Sequence, residues 1–492
     1  MLLGNAPLDA EVFARPVNLQ NPPAALLGLL DRHEEPVLLD SAAFHREFGR
    51  FGLLSCRPIE VLTLREGVLR DRSGAVLAAG DEAIWSALTR ALSAVRLRGP
   101  ARDGYAPGWI GYVGYEVGRH VERLPGLAGR DTPLPDLRLA FYDALLVHDA
   151  LEGRSFLVEL RFARPPAGAG RAAARLRELV RQGGTMPPEP PAEPPDRASA
   201  AERAAVDDAR CNFTRDEYLR SVRRCIDYIA AGDIFQVNLS QRFEIDAAGA
   251  DVLEIYRALR RRNPSWYGGY LAFEAGGRAC SVLSSSPELF LRVRGRRVLT
   301  RPIKGTRPRV GDSQADASAK ADLLASGKDN AELAMIVDLL RNDLGRICEY
   351  GSIRVTEPRA LEAHPTVFHL VGTVEGVLRA GVGPAELLRA TFPGGSITGA
   401  PKIRAMEIID ELEPAARGVY TGCVGIVGVN GRCEWNIAIR TMVSDGERLW
   451  VQAGGGIVAD SDPLGEYRET LDKARALFEA IAEVRSHEPM GR

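Results

Sequence analysis

The sequence predicts an α/β protein of the α+β kind, with mainly antiparallel sheet and flanking helices. Three observations point there. Strand-like runs at 267–274, 280–285 and 288–294 follow one another with no helix between them, which favours antiparallel pairing over a doubly wound parallel sheet. Segments of helical period, such as DEYLRSVRRCIDYIAAGD (216–233), supply the flanking layer. The chain of 492 residues, 45% hydrophobic, is long enough for more than one core.

In order along the chain, VLLDS (37–41), WIGYVGY (109–115) and ALLVHD (144–149) read as strands, and AAARLRELVRQ (172–182) has helical spacing. Residues 1–182 therefore form an N-terminal unit of mixed α and β. A seam follows at 183–208, where Pro187, Pro188, Pro190, Pro191, Pro194 and Pro195 precede an Ala-rich charged stretch, the composition of an exposed linker. The second unit is expected over 209–487. Its first helix, 216–233, carries Tyr218, Leu219, Val222, Cys225, Ile226 and Ile229 on one face and ends near Gly232. Further strands are expected at 234–243 and 422–429, and helices at 331–341, 401–412 and 465–485.

Composition excludes several function classes. With 63 basic against 65 acidic residues the formal charge is −2, which gives no net field to gather nucleic acid or an anionic membrane. The N-terminus MLLGNAPLDAEVF lacks the basic stretch and apolar run of a signal peptide, and no later segment approaches a membrane span, so a cytoplasmic protein is expected. The seven cysteines are odd in number and contain no CxxC pair, which disfavours disulfides and a zinc site.

Chemistry concentrates in the C-terminal half. RPIKGTRPR (301–309) puts Lys304 between an apolar residue and a glycine; taken alone this is a basic exposed loop. Glu332 and Glu469 lie in separate helices and could offer oxygen ligands to one hard cation such as magnesium, although Glu469 with Lys473 also has the spacing of an ordinary surface pair. Glu466, one turn before Glu469, could join an outer shell. FPGGSITGAPK (392–402) runs from a loop into a helix whose buried stripe is Ala405, Ile408, Ile409 and Leu412; its free N–H groups could hold a carboxylate or phosphate. It is not a nucleotide-binding P-loop, because Ala400 and Pro401 follow Gly399. Glu288, in SSPELF, sits among strand-like residues where an unpaired charge is costly, so a raised pKa would make it a usable acid.

SSSPELF (284–290), RPIKGTRPR, AELAMIVDLLRNDLGR (331–346), FPGGSITGAPK and GGGIVADSDPLGEYRETLDKA (454–474) occur in that order. Together they resemble the chorismate-utilising enzymes, strongly over 205–485 and more weakly before it. The resemblance implies a large two-sheet sandwich with the active site in its second half. It also implies magnesium on Glu332 and Glu469, a substrate carboxylate on Lys473, another on Arg440 and the glycine run ending at Gly456, and substrate contacts from His369, Tyr420 and Ser396. Glu288 would protonate the departing ring hydroxyl. Anthranilate synthases read P-I-A-G-T where this chain has Pro302-Ile303-Lys304-Gly305-Thr306, and the lysine marks the aminodeoxychorismate synthases, in which it attacks the ring. Isochorismate synthases carry a lysine where this chain has Gln236, and an amide cannot act as that base.

The expected activity is therefore formation of 4-amino-4-deoxychorismate from chorismate and ammonia, toward 4-aminobenzoate and folate. The alternative is anthranilate synthase component I, and a rival of another class is a ligand-sensing protein on this scaffold. VLLDSA (37–42) resembles a tryptophan-binding segment of the family, which would place Leu39, Asp40 and Ser41 at a tryptophan site; Asp40 replaces the usual glutamate, and a strand ending in a polar turn is the competing reading. A glutaminase needs a cysteine in a G-x-C-x-G elbow. The nearest match, around Cys423, begins with Thr421, so ammonia is expected from a separate glutamine amidotransferase subunit.

Overall fold

A computed structural model describes residues 2–4, 6–19, 21–99, 104–183, 209–247 and 249–487. The expected linker, apart from Gly183, lies outside the described residues. Two large sheets, of 13 and 12 strands among the described residues, form the centre of the molecule. The ladders that carry the site are antiparallel, and a parallel pair joins Leu8–Val17 to Val95–Leu97.

Both sheets draw on both halves of the chain. Val37–Asp40 pairs with Tyr267–Ala275 in the larger sheet, and Gly108–Val113 pairs with Cys423–Gly428 in the other. The expected boundary near 183–208 thus divides the chain into two runs, while each sheet continues across it. The cause lies in the strands: Gly108–Val113 is buried at every residue, so it needs a neighbour on each edge as well as cover on each face.

Side chains alternate between two environments along these strands. Val37, Ile110, Leu271, Val282, Val424 and Ile426 meet between the sheets. The outer face of the larger sheet packs on the helices Arg171–Gly183, Val252–Arg262 and Pro463–His487 through Leu176, Leu259, Leu477 and Ile481. The other sheet buries its outer face under helices that include Asp81–Leu92 and Gly327–Gly345.

The helix expected at 216–233 spans Arg215–Ala230, with Thr214 and Glu217 closing a capping box at its start. Tyr218, Leu219, Val222 and Cys225 are buried, while Ile226 and Ile229 are partly buried against the same core. Val252–Arg262, capped by Asp251, has no counterpart among the expected elements. The seven cysteines are unpaired. Among the described residues no helix is long and apolar enough to cross a membrane.

Candidate active site

The site forms where the start of strand Gln236–Asp246, the end of strand Arg448–Ile457 and strand Ile303–Pro308 meet the helices Gly327–Gly345 and Pro463–His487. Lys304 lies at a bulge: it pairs with Leu370 while Thr306 pairs with His369, and Gly305 takes up the slack at φ 76°. A side chain there would be strained and would press on Asp329 at 2.9 Å, so glycine is required for the kink that redirects Lys304. Burial pulls the Lys304 ammonium below its ordinary value, against the charges of Glu332, Glu288 and Glu469, which favour it. A larger fraction of neutral amine is the consequence.

Glu288 precedes strand Leu289–Arg294 and is 4% exposed. Burial pushes its carboxyl up to about 7, although Ser396 Oγ donates to Oε1 at 2.6 Å and Lys304 lies within electrostatic reach. Ionising it costs roughly 3 kcal/mol more than in water. A carboxyl poised near neutrality and a lysine with a depressed pKa beside it form a pair able to combine acid chemistry with nucleophilic attack.

Burial raises the carboxyls of both Glu332 and Glu466, and neighbouring charges add to it, those of Asp329 and Glu466 at Glu332 and that of Glu469 at Glu466. Glu469 moves the other way because of Lys473, whose Nζ lies 2.6 Å from its Oε1. Ser461 Oγ donates to Glu466 at 2.6 Å, and Lys328 stands 3.7 Å away. Gly455 leaves an opening between these groups: a Cβ there would meet Glu466 Oε2 at 3.0 Å and Glu469 Oε1 at 3.6 Å. Like charges gathered around bare backbone suit a hard cation. Among the described residues no three His, Cys, Asp or Glu side chains form a complete ligand set, so a magnesium ion here would rely on water and substrate oxygens as well.

Lys473 also donates to Gly454 O at 3.0 Å, and Arg440 Nη1 reaches Lys473 O. Arg440 holds φ 51°, a left-handed conformation that costs about 1 kcal/mol outside glycine. Burial lowers its guanidinium to about 10. His369 is buried, held by Thr306 Oγ1 at 2.9 Å from Nδ1, and kept neutral by that burial together with His364 and Arg440. Tyr420 is buried beside Arg417 and within electrostatic reach of Arg440, and its phenol is raised by burial. Gly456 completes the opening: a Cβ there would collide with Gln236 Nε2 and come within 3.3 Å of Lys304 Nζ.

The structure thus brings Lys304, Glu288, Glu332, Glu469 and Lys473 into one electrostatic neighbourhood, with Ser396, His369, Arg440 and Gly456 joined to it directly or through one residue. Two contributors went unassigned in the sequence. Arg417 ties the loop to the strand by donating to Ile397 O at 3.0 Å and Asn238 O at 2.7 Å. Asn238 is the other; the alternation Gln236, Asn238, Ser240 in a strand was its signal.

Leu39, Asp40 and Ser41 do not belong to this cluster. They line a separate inter-sheet cavity of about 40 Å³ with Tyr105, Tyr267, Glu434 and Asn436. Asp40 is paired with Arg260 at 2.5 Å, and Ser41 Oγ bonds Phe51 O at 3.0 Å and Trp266 O at 2.9 Å.

Comparison with known proteins places the chain in a family. A family model described as chorismate binding enzyme matches residues 44–479. Anthranilate synthase component 1 of Pseudomonas aeruginosa is 43% identical over 385 residues, covering 78% of this chain and 76% of its own. Aminodeoxychorismate synthase component 1 of Klebsiella aerogenes is 38% identical over 448 residues, covering 90% and 93%. The crystal structure of anthranilate synthase component I from Streptococcus pneumoniae superposes with a TM-score of 0.69 at 30% identity, covering 89% of this chain and 94% of that one.

Proposed function

The chain belongs to the chorismate-binding enzymes, and within that family we propose that it converts chorismate and ammonia into 4-amino-4-deoxychorismate, toward 4-aminobenzoate and folate. The observation that carries this reading is Lys304, buried on a bulged strand, its ammonium pulled below the ordinary value by that burial, beside a carboxyl raised to about 7.

Arg440 and Lys473 bind and orient the substrate carboxylates, and the glycine run 454–456 lets the ring approach the backbone. Glu288 in its acid form protonates the hydroxyl leaving carbon 4, which departs as water. Neutral Lys304 attacks carbon 2 as the ring double bonds shift. Ammonia then adds at carbon 4 and releases the lysine. Glu332 and Glu469, with Glu466 in the outer shell, would hold magnesium, which when bound neutralises substrate charge and polarises its oxygens. A separate glutamine amidotransferase subunit supplies the ammonia.

A second reading, anthranilate synthase component I, is favoured by the 43% identical Pseudomonas relative. It assigns no covalent task to Lys304. Mixing the chain with chorismate and magnesium without ammonia should leave a mass increment on the Lys304 peptide, absent in Lys304→Ala. An unmodified peptide together with unimpaired turnover in Lys304→Ala would reject the proposed route.

A further inference from the structure

Resting on that reading, a second question is what holds the ammonia. Gln236 and Asn238 stand two apart on one strand, so their side chains share a face. Asn238 lies opposite Gly456 in the ladder. Its backbone groups turn away from that partner: its N–H donates to Thr398 O at 2.8 Å, and its carbonyl accepts from Arg417 at 2.7 Å. Asn238 and Gly456 are therefore a close pair of the type without mutual hydrogen bonds, and one member has no side chain. The Gln236 amide occupies the space so left, which also borders Lys304 Nζ.

Both amide oxygens here, Gln236 Oε1 and Asn238 Oδ1, are buried without a hydrogen-bond partner. Gln236 is 1% exposed and Asn238 9%. Buried carbonyl oxygens are normally satisfied, so two orphans on one face beside a candidate nucleophile point to a donor that arrives with the reaction. Chorismate brings one hydroxyl and otherwise acceptors, and that hydroxyl leaves in the first step. The donor still to come is the incoming nitrogen.

We propose that Asn238, with Gln236 beside it, forms the binding site for neutral ammonia, accepting its N–H groups so that its lone pair is free to attack carbon 4. Amide oxygens suit this task because they are uncharged. A carboxylate in the same place would stabilise ammonium, which has no lone pair to offer. In the step itself the ammonia lone pair forms the carbon 4 to nitrogen bond, and the ring double bonds shift. The electron pair of the carbon 2 to Lys304 bond returns to the lysine nitrogen, which takes up the proton given off by the new carbon 4 ammonium.

Asn238→Leu and Asn238→Asp test the site against ammonium chloride in the full-length chain with chorismate and magnesium. In Asn238→Leu the KM for ammonia should rise about tenfold, the effect of one lost hydrogen bond to a small ligand, and in larger proportion than the variant slows the ammonia-free Lys304 adduct. Asn238→Asp should need a higher pH than wild type for the same ammonia-dependent rate, since its charge holds bound nitrogen as ammonium. Unchanged ammonia KM in Asn238→Leu, or adduct formation falling in the same proportion, would overturn the inference while leaving the lysine route standing. Failure of wild type to form either adduct or amination product would instead reject the proposed function, and the ammonia site with it.

Discussion

The Lys304 pocket and the inter-sheet cavity beside Asp40 are both polar places inside the same sandwich, yet their hydrogen-bond accounts differ. Around Lys304, burial holds a lysine below and carboxyls above their ordinary values, two amide oxygens lack partners, and three glycines leave backbone bare. Beside Asp40 the predicted ligand groups are already used: Asp40 by Arg260, and Ser41 by two backbone carbonyls. The cavity of about 40 Å³ has room for on the order of three waters, less than an indole needs. The Tyr267 hydroxyl on the cavity wall is unpartnered too, so what separates the two places is that the side chains expected to hold a ligand at Asp40 are committed to the fold, while Gln236 and Asn238 beside Lys304 keep free amide oxygens.

The sharpest way to break this contrast is to remove the nucleophile. Lys304→Ala should cut aminodeoxychorismate formation by about a thousandfold or more, and Lys304→Arg should not restore it, because guanidinium remains charged. Product assays by chromatography decide this, and near-normal turnover in Lys304→Ala would leave the lysine with an electrostatic part alone. Glu332→Gln and Glu469→Gln come next, each expected to lower magnesium-dependent turnover by about a hundredfold or more while circular dichroism stays unchanged. Normal activity at low magnesium in either variant would take that glutamate out of the metal site.

These residues were legible because the motifs that hold them resemble the chorismate-utilising enzymes; by spacing alone Lys304 reads as a basic exposed loop, and Glu469 with Lys473 as a surface pair on one helix. Their electrostatics were not legible. The depressed Lys304 depends on a bulge at Gly305 and on helices distant in sequence, and no periodicity announces which carboxylates will face it. Asp40 shows the opposite limit. Its motif suggests a ligand, and Leu39, Asp40 and Ser41 do line a cavity; what the motif does not carry is the pairing of Asp40 with Arg260, which comes from a helix whose packing against that strand no local pattern encodes. The strands themselves were readable from alternation, while their assembly into sheets shared by both halves depended on long-range pairing.

A pH series sharpens the electrostatic side. Below about pH 4.5 Glu288 is protonated whether the chain is folded or unfolded; between 4.5 and about 7 the unfolded chain loses that proton first. Stability contributed by the neutral buried carboxyl is thus lost as pH rises through this window, by roughly 3 kcal/mol in all. Glu288→Gln should remove that loss, so its unfolding free energy relative to wild type should increase from pH 4.5 to 7 and then level. A flat difference would mean that Glu288 is not raised. At the Asp40 cavity, millimolar tryptophan should leave the melting temperature and turnover unchanged. A tryptophan-dependent rise, lost in Asp40→Ala, would show that the cavity opens and that the contrast between the two regions fails.

The central claim is the identity of the product. The purified chain, given chorismate, magnesium and ammonium at alkaline pH, should yield 4-amino-4-deoxychorismate by chromatography and mass spectrometry, without release of pyruvate. Fluorescent anthranilate with stoichiometric pyruvate would contradict it.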